Sequence, residues 1–258
     1  MHLTRGFELT LKYYPLALLA FLADLVNLGD ISRRFTYDFH LKFTVPSALP
    51  SLTQVLPDPP GAGGLHINVP FEHLGAFGLV FFLAFILLSA YLKGGFLGSI
   101  LNALTEGPVT TEVFLAYAGR FWTRYLLQSI IILAAVIFLG LLLIGIGPLA
   151  LIFILVLLVA FFLLIFWDYS LIREDLGVVD AAERSWRLVT ANVGAVILFL
   201  LPILVVTALF SILANALVPT PLLFAAMAAY AFLGTAVIFA VMSFYMELTE
   251  EKPEPEEE

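Results

Sequence analysis

Long apolar runs, broken by short polar or Gly/Pro-rich stretches, dominate the chain. A helix needs about 20 apolar residues to cross about 30 Å of hydrocarbon. Six segments meet that pattern: residues 13–29, 74–93, 126–146, 149–167, 195–217 and 222–246. Asp24 and Asn27 interrupt the first of them. No small-x-small site follows it, so it reads as an uncleaved anchor. Gly145-Ile146-Gly147-Pro148 separates the third run from the fourth, and Val218-Pro219-Thr220-Pro221 the fifth from the sixth. Gly and Pro end helices there and predict tight hairpins.

Two linkers carry a helical rather than a loop pattern. Over residues 110–125, Phe114, Tyr117, Ala118, Phe121, Trp122 and Tyr125 form a stripe at i, i+3, i+4, i+7 spacing, with Arg120 and Arg124 near its polar side. In the second linker, Asp180-Ala181-Ala182-Glu183 has the form of a capping box. Ala182, Trp186, Val189 and Val193 follow as an apolar stripe, and Glu183 and Arg187 stand at i, i+4. Basic helices with an aromatic face lie in the headgroup plane. Arg120, Arg124, Arg184 and Arg187 are therefore the expected lipid headgroup contacts.

Residues 31–73 change period. Phe35, Tyr37, Phe39, Leu41, Phe43 and Val45 alternate with Thr36, Asp38, His40, Lys42 and Thr44. Leu65, Ile67, Val69 and Phe71 alternate in the same way. Period two predicts strands, and the Pro- and Gly-rich stretch between them predicts a long-looped β-hairpin outside the membrane. Its apolar face, with Phe35, Tyr37, Phe39, Leu41 and Phe43, needs a cover. The outer ends of the helices, lipid, a second copy of the chain or a membrane partner at residues 35–71 would each supply one.

Composition sharpens the class. Of 258 residues, 62% are hydrophobic and 12% charged, with a mean hydropathy of +1.04. Soluble domains carry about 25% charged residues, so a soluble enzyme and a disordered chain are both excluded. The expected fold is an all-α polytopic membrane protein. It has about six spans, two cytoplasmic interfacial helices and the external hairpin, in one domain over residues 1–246. The net charge is −8, and residues 247–258 hold seven Glu and one Lys, a net −6. That segment reads as a disordered acidic tail, and no basic field remains to attract nucleic acid. Zero cysteines exclude thiol chemistry and disulfides. With the N-terminus inside, nine basic residues face the cytoplasm (Arg5, Lys12, Lys93, Arg120, Arg124, Arg173, Arg184, Arg187, Lys252) and three face out (Arg33, Arg34, Lys42). The positive-inside rule then places both termini in the cytoplasm.

Few residues suggest chemistry. Asp24, with Asn27, is an intramembrane carboxylate and the candidate for a transport path. Were it only tolerated, Asn or Leu at position 24 would leave function intact and raise stability. Lys93 reads as snorkelling to the inner headgroups. Asn102, Gln128, Asn192, Ser211 and Asn215 read as interhelical hydrogen bonds. The glycines of Gly94-Gly95-Phe96-Leu97-Gly98 permit close helix approach or break the second span. His40, His66, Glu72 and His73 match no metal motif, so neither metal nor cofactor is expected. No His-Glu-x-x-His, P-loop or Gly-x-Ser-x-Gly occurs. The expectation is a non-enzymatic protein that organises lipid or a membrane partner. The alternative is a small transporter with Asp24 near its path.

One region carries a resemblance. Trp167-Asp168-Tyr169, Ile172, Glu174-Asp175-Leu176-Gly177, Asp180-Ala181-Ala182, Arg184-Ser185-Trp186 and Asn192 lead into an apolar span. This run, within about residues 165–200, resembles the prokaryotic six-helix membrane proteins of the YciC-like kind and the membrane domain attached to some glycerophosphodiesterases. The resemblance implies a multi-pass protein of a prokaryotic cytoplasmic membrane. That group has no agreed activity, so it implies no functional residue, and no part of this chain corresponds to the phosphodiesterase part.

Overall fold

The computed structural model describes residues 2–26, 49–52, 56, 76–146, 150–217 and 221–250. In chain order the helices are α1 (His2–Lys12), α2 (Tyr14–Val26), α3 (Ala76–Leu104), α4 (Thr111–Ile146), α5 (Ala150–Leu163), α6 (Trp167–Arg173), α7 (Val178–Ala191), α8 (Val193–Leu217) and α9 (Leu223–Glu250). No strand occurs among the described residues. The expected hairpin, with Phe35, Tyr37, Phe39, Leu41 and Phe43, lies outside them, as does Asn27.

Among the described residues five stretches are long and apolar enough to cross a membrane: Leu83–Leu104, Thr111–Phe138, Leu155–Arg173, Val193–Leu217 and Leu223–Glu250. The sixth expected span is not among them. Its described apolar part is Tyr14–Leu25, within the 13 residues of α2, about 20 Å of helix at 1.5 Å per residue. The outward faces of the long helices are apolar, with Leu198 75% and Ile212 72% exposed. Exposed apolar area on this scale suits lipid and not water. The architecture is that of a multi-pass helical membrane protein.

α9 is the central helix. α1 and α2 lie along it in the opposite chain direction, so His2 meets Glu247 at 2.9 Å and Phe7 stacks near Phe232. Close approach is set by Gly6, where a Cβ would stand 2.3 Å from the Ala236 carbonyl oxygen. Asp24 lies near the other end of this pairing. α9 stays helical through Glu250, so residues 247–250 of the expected acidic tail belong to this helix; the rest of that segment lies outside the described residues.

α3 and α4 pack face to face over their whole charged-end halves. A Cβ at Gly98 would stand 2.1 Å from the Tyr117 ring, and one at Gly95 2.6 Å from Phe114. The glycines thus permit close approach, and α3 runs through them unbroken. The same contact corrects the first linker. Residues 111–125 are not a separate surface helix but the opening four turns of the 36-residue α4. Nothing between Tyr125 and Leu126 breaks the helix, and the aromatic stripe is spent on α3, with Ala118, Phe121 and Tyr125 buried. Trp122 points away, 37% exposed.

The second linker does form its own amphipathic helix, α7, but starts and faces differently. Gly177 is the N-cap in an extended conformation without a side-chain cap. Asp180 therefore sits inside the first turn, where it still favours the helix dipole, and the capping box does not form. The buried face is Val178, Ala181, Ser185, Leu188 and Val189, leaving Trp186 outward. The Glu183–Arg187 pair forms at 2.5 Å.

Candidate functional site

The stretch Leu155–Arg173 is interrupted. α5 ends at Leu163 and α6 begins at Trp167, with turn residues between them. A backbone break in an apolar environment needs other groups to satisfy its freed N–H and C=O. Ser185 of α7 does this on both sides of the break. Its Oγ donates to the Leu163 carbonyl (2.9 Å) and accepts from the Phe166 N–H (3.1 Å). The Trp167 indole N–H donates to the Val178 carbonyl (2.7 Å), which ties α6 to the start of α7.

The α6–α7 connection then gathers the charged end of the molecule. Asp175 takes a left-handed backbone (φ 55°), which Asp tolerates better than most residues. It accepts from Arg120 and from Arg124, each at 2.6 Å. Those guanidiniums, Arg124 first, hold its carboxyl below the usual range. Glu174 accepts from Arg184 Nε at 3.0 Å and from the Tyr245 hydroxyl of α9. All four expected headgroup arginines are thus ion-paired within the chain. Arg120 and Arg187 nevertheless keep 61% and 73% of their side chains exposed.

Below this layer lies the feature that spacing alone did not reveal. Lys93 does not snorkel: it is only 8% exposed, and α3 continues past it for eleven residues, about 16 Å of helix. Its ammonium pairs with Asp168 Oδ1 of α6 at 2.8 Å and donates to Gln128 Oε1 of α4 at 3.3 Å. It also stands 5.1 Å from the centre of the Tyr125 ring. Gln128 Nε2 donates to Asp168 Oδ1 at 2.7 Å, and the Tyr125 hydroxyl to the Asp168 carbonyl at 3.0 Å. Gln128 therefore makes the interhelical bonds expected of it. Asn102 and Asn192 do not: they bond locally, to Pro108 and Leu188 carbonyls.

Two cavities meet at this ion pair. One, about 360 Å³, is a cleft between α4 and α5. Its walls include Ile132, Ala135, Leu157, Ala160 and Leu164, and its polar end is Lys93, Gln128 and Asp168. Ile131 and Phe161 line it yet stay exposed on the outer surface, so it opens sideways. The other, about 180 Å³, lies on the core side and is lined by Lys93, Asp168, Tyr169, Thr207 and Tyr230 among others.

Asp24 has a different setting. It is fully buried and accepts from the Ser51 hydroxyl at 2.5 Å and the Leu52 N–H at 2.8 Å. The carboxylate clasps residues 51 and 52 to α2, so a Leu there removes the acceptor of both bonds. With these bonds in place, Leu at position 24 is expected to lower stability. Among the described residues no three His, Asp or Glu side chains converge to hold a metal ion.

The chain matches no family model, no curated protein and no solved structure. The resemblance over residues 165–200 therefore rests on those residues alone; among them are Asp168 of the ion pair and Glu174, Asp175 and Arg184 of the charged layer.

Proposed function

We propose that this is a non-enzymatic multi-pass protein of a prokaryotic cytoplasmic membrane that binds and organises lipid. The observation that carries this reading is the sideways-opening cleft between α4 and α5, apolar along its walls and ionic at one end. Ligand sites of about 300–1,000 Å³ are typically apolar with a few convergent polar groups, and a cleft open to the bilayer side selects a chain-bearing amphiphile. In this reading both termini are cytoplasmic, and residues 13–29 complete six crossings. The charged layer of Arg120, Arg124, Arg184 and Arg187 then meets the inner headgroups through its exposed sides, at roughly 1 kcal/mol per basic residue near an anionic surface. The external residues 35–71, led by Phe35, Tyr37, Phe39, Leu41 and Phe43, serve as the contact for a second copy or a membrane partner.

The experiment is native mass spectrometry of the full chain released from nanodiscs. Wild type should retain one lipid that the Ala135→Phe/Ala160→Phe variant, with its cleft filled, loses. Equal lipid retention by both would overturn the reading.

A second reading, a small transporter, draws on the two cavities that share Lys93 and Asp168 as a wall. In it the path runs past that pair, with Asp24 and Asn27 toward its outer end. Substrate flux through reconstituted vesicles that depends on Lys93 but not on filling the cleft would favour it.

A further inference from the structure

The polar end of the cleft has a hydrogen-bonding imbalance that specifies what it takes. Asp168 uses Oδ1 twice, for Lys93 and for Gln128. Its Oδ2 has no partner among the described residues, while its side chain stays 32% exposed on the surface of the two cavities. Lys93 is committed to Asp168, Gln128 and the Tyr125 ring. Gln128 spends Oε1 on Lys93 and one Nε2 proton on Asp168, which leaves its second amide proton. The Trp167 indole N–H is spent on Val178. The cleft thus ends in one open acceptor, one open donor and a charge pair that is already neutral. An anionic head would oppose Asp168, and a cationic head would oppose Lys93. A hydroxyl, donor and acceptor at one atom, matches both open positions without disturbing the pair.

We infer that the α4–α5 cleft binds an uncharged, hydroxyl-headed, single-chain amphiphile, its hydroxyl donating to Asp168 Oδ2 and its chain lying between Ala135 and Ala160. This inference rests on the lipid-binding reading and adds the head chemistry. The probes are a diazirine-bearing long-chain alcohol, its O-methyl ether, the matching carboxylate and the matching quaternary ammonium. Each is photo-crosslinked to the full-length protein in nanodiscs, and the adducts are mapped by peptide mass spectrometry. The alcohol should label residues 131–136 and 157–164, and the ether should label them at least about tenfold more weakly, since it cannot donate to a carboxylate. The double variant Lys93→Met/Asp168→Leu, which removes both charges together, should bind alcohol and ether alike. Ala160→Phe, which leaves the ionic end untouched, should lose both. Equal labelling of the cleft by alcohol and ether in wild type would overturn the hydroxyl assignment while leaving lipid binding intact. A preference for the carboxylate or the ammonium, or an alcohol preference that survives in the double variant, would overturn it as well. No labelling of the cleft by any probe would remove both readings.

Discussion

Removing Asp168 alone and removing the Lys93–Asp168 pair together should have opposite consequences. Asp168→Leu leaves an ammonium enclosed by Tyr125 and Gln128, in a side chain only 10% exposed. Stranding one partner of a buried pair costs about 3–5 kcal/mol. The partial exposure of Asp168 lowers that to about 2–4 kcal/mol, because water already screens part of the interaction. Lys93→Met is milder, about 1–2 kcal/mol, since Asp168 keeps Gln128 Nε2 and its own access to the cleft. The double variant Lys93→Met/Asp168→Leu replaces both charges by apolar groups of similar bulk and should fall within about 1 kcal/mol of wild type. The cycle then gives a coupling of at least about 2 kcal/mol. Equilibrium unfolding in mixed micelles measures all four corners. A double variant as unstable as the sum of its singles would refute the pairing. So would a Lys93→Met that is worse than Asp168→Leu.

Three further outcomes follow from the packing and the charged layer. Gly6→Ala sets a Cβ against the α9 backbone, and Gly98→Ala sets one against Tyr117. Each should lower stability by about 1–3 kcal/mol in thermal melts, while Gly119→Ala, with open space around it, should not. Asp24→Leu should cost about 1–3 kcal/mol by removing the acceptor that holds the Ser51 hydroxyl and the Leu52 N–H, read in the same melts. Asp175 has a depressed folded pKa, so its contribution is present above the ordinary carboxylate value and lost as pH falls through the folded one. The Asp175→Asn variant should therefore be modestly less stable at neutral pH, and the difference should fade in acid only as pH drops below the ordinary carboxylate range toward the lowered folded value, an effect that salt reduces.

The apolar periodicity made the long helices legible, because a membrane span needs only length and low charge. It did not locate the helix ends. The stripe Phe114, Tyr117, Phe121 and Tyr125 has the same spacing whether it faces headgroups or a neighbouring helix. Only Gly94, Gly95 and Gly98 on α3 decide for the neighbour, and a single chain pattern does not show which stripe meets which glycines. The capping box misled for a local reason: Gly177 starts α7 three residues before Asp180, and Val178 gains burial by joining it. Asp24 was visible as an intramembrane charge, but its partners Ser51 and Leu52 are 27 and 28 positions further along, a pairing no spacing encodes. The ion pair was hidden most thoroughly. Lys93 and Asp168 are 75 positions apart on separate spans, and each looked like a charge at the end of its own apolar run. The remaining signal was a third polar residue, Gln128, placed one turn inside Arg124 on another span.

If lipid chains enter the cleft beside Lys93 and Asp168, Trp167 is placed to report it. It lines that cleft and is one of three tryptophans in the chain. In a Trp122→Phe/Trp186→Phe background, nanodiscs made with brominated acyl chains should quench Trp167 fluorescence, and adding Ala135→Phe/Ala160→Phe should restore it. Trp167 emission that brominated lipid leaves untouched, while the same lipid quenches a variant retaining only the outward-facing Trp186, would contradict the account.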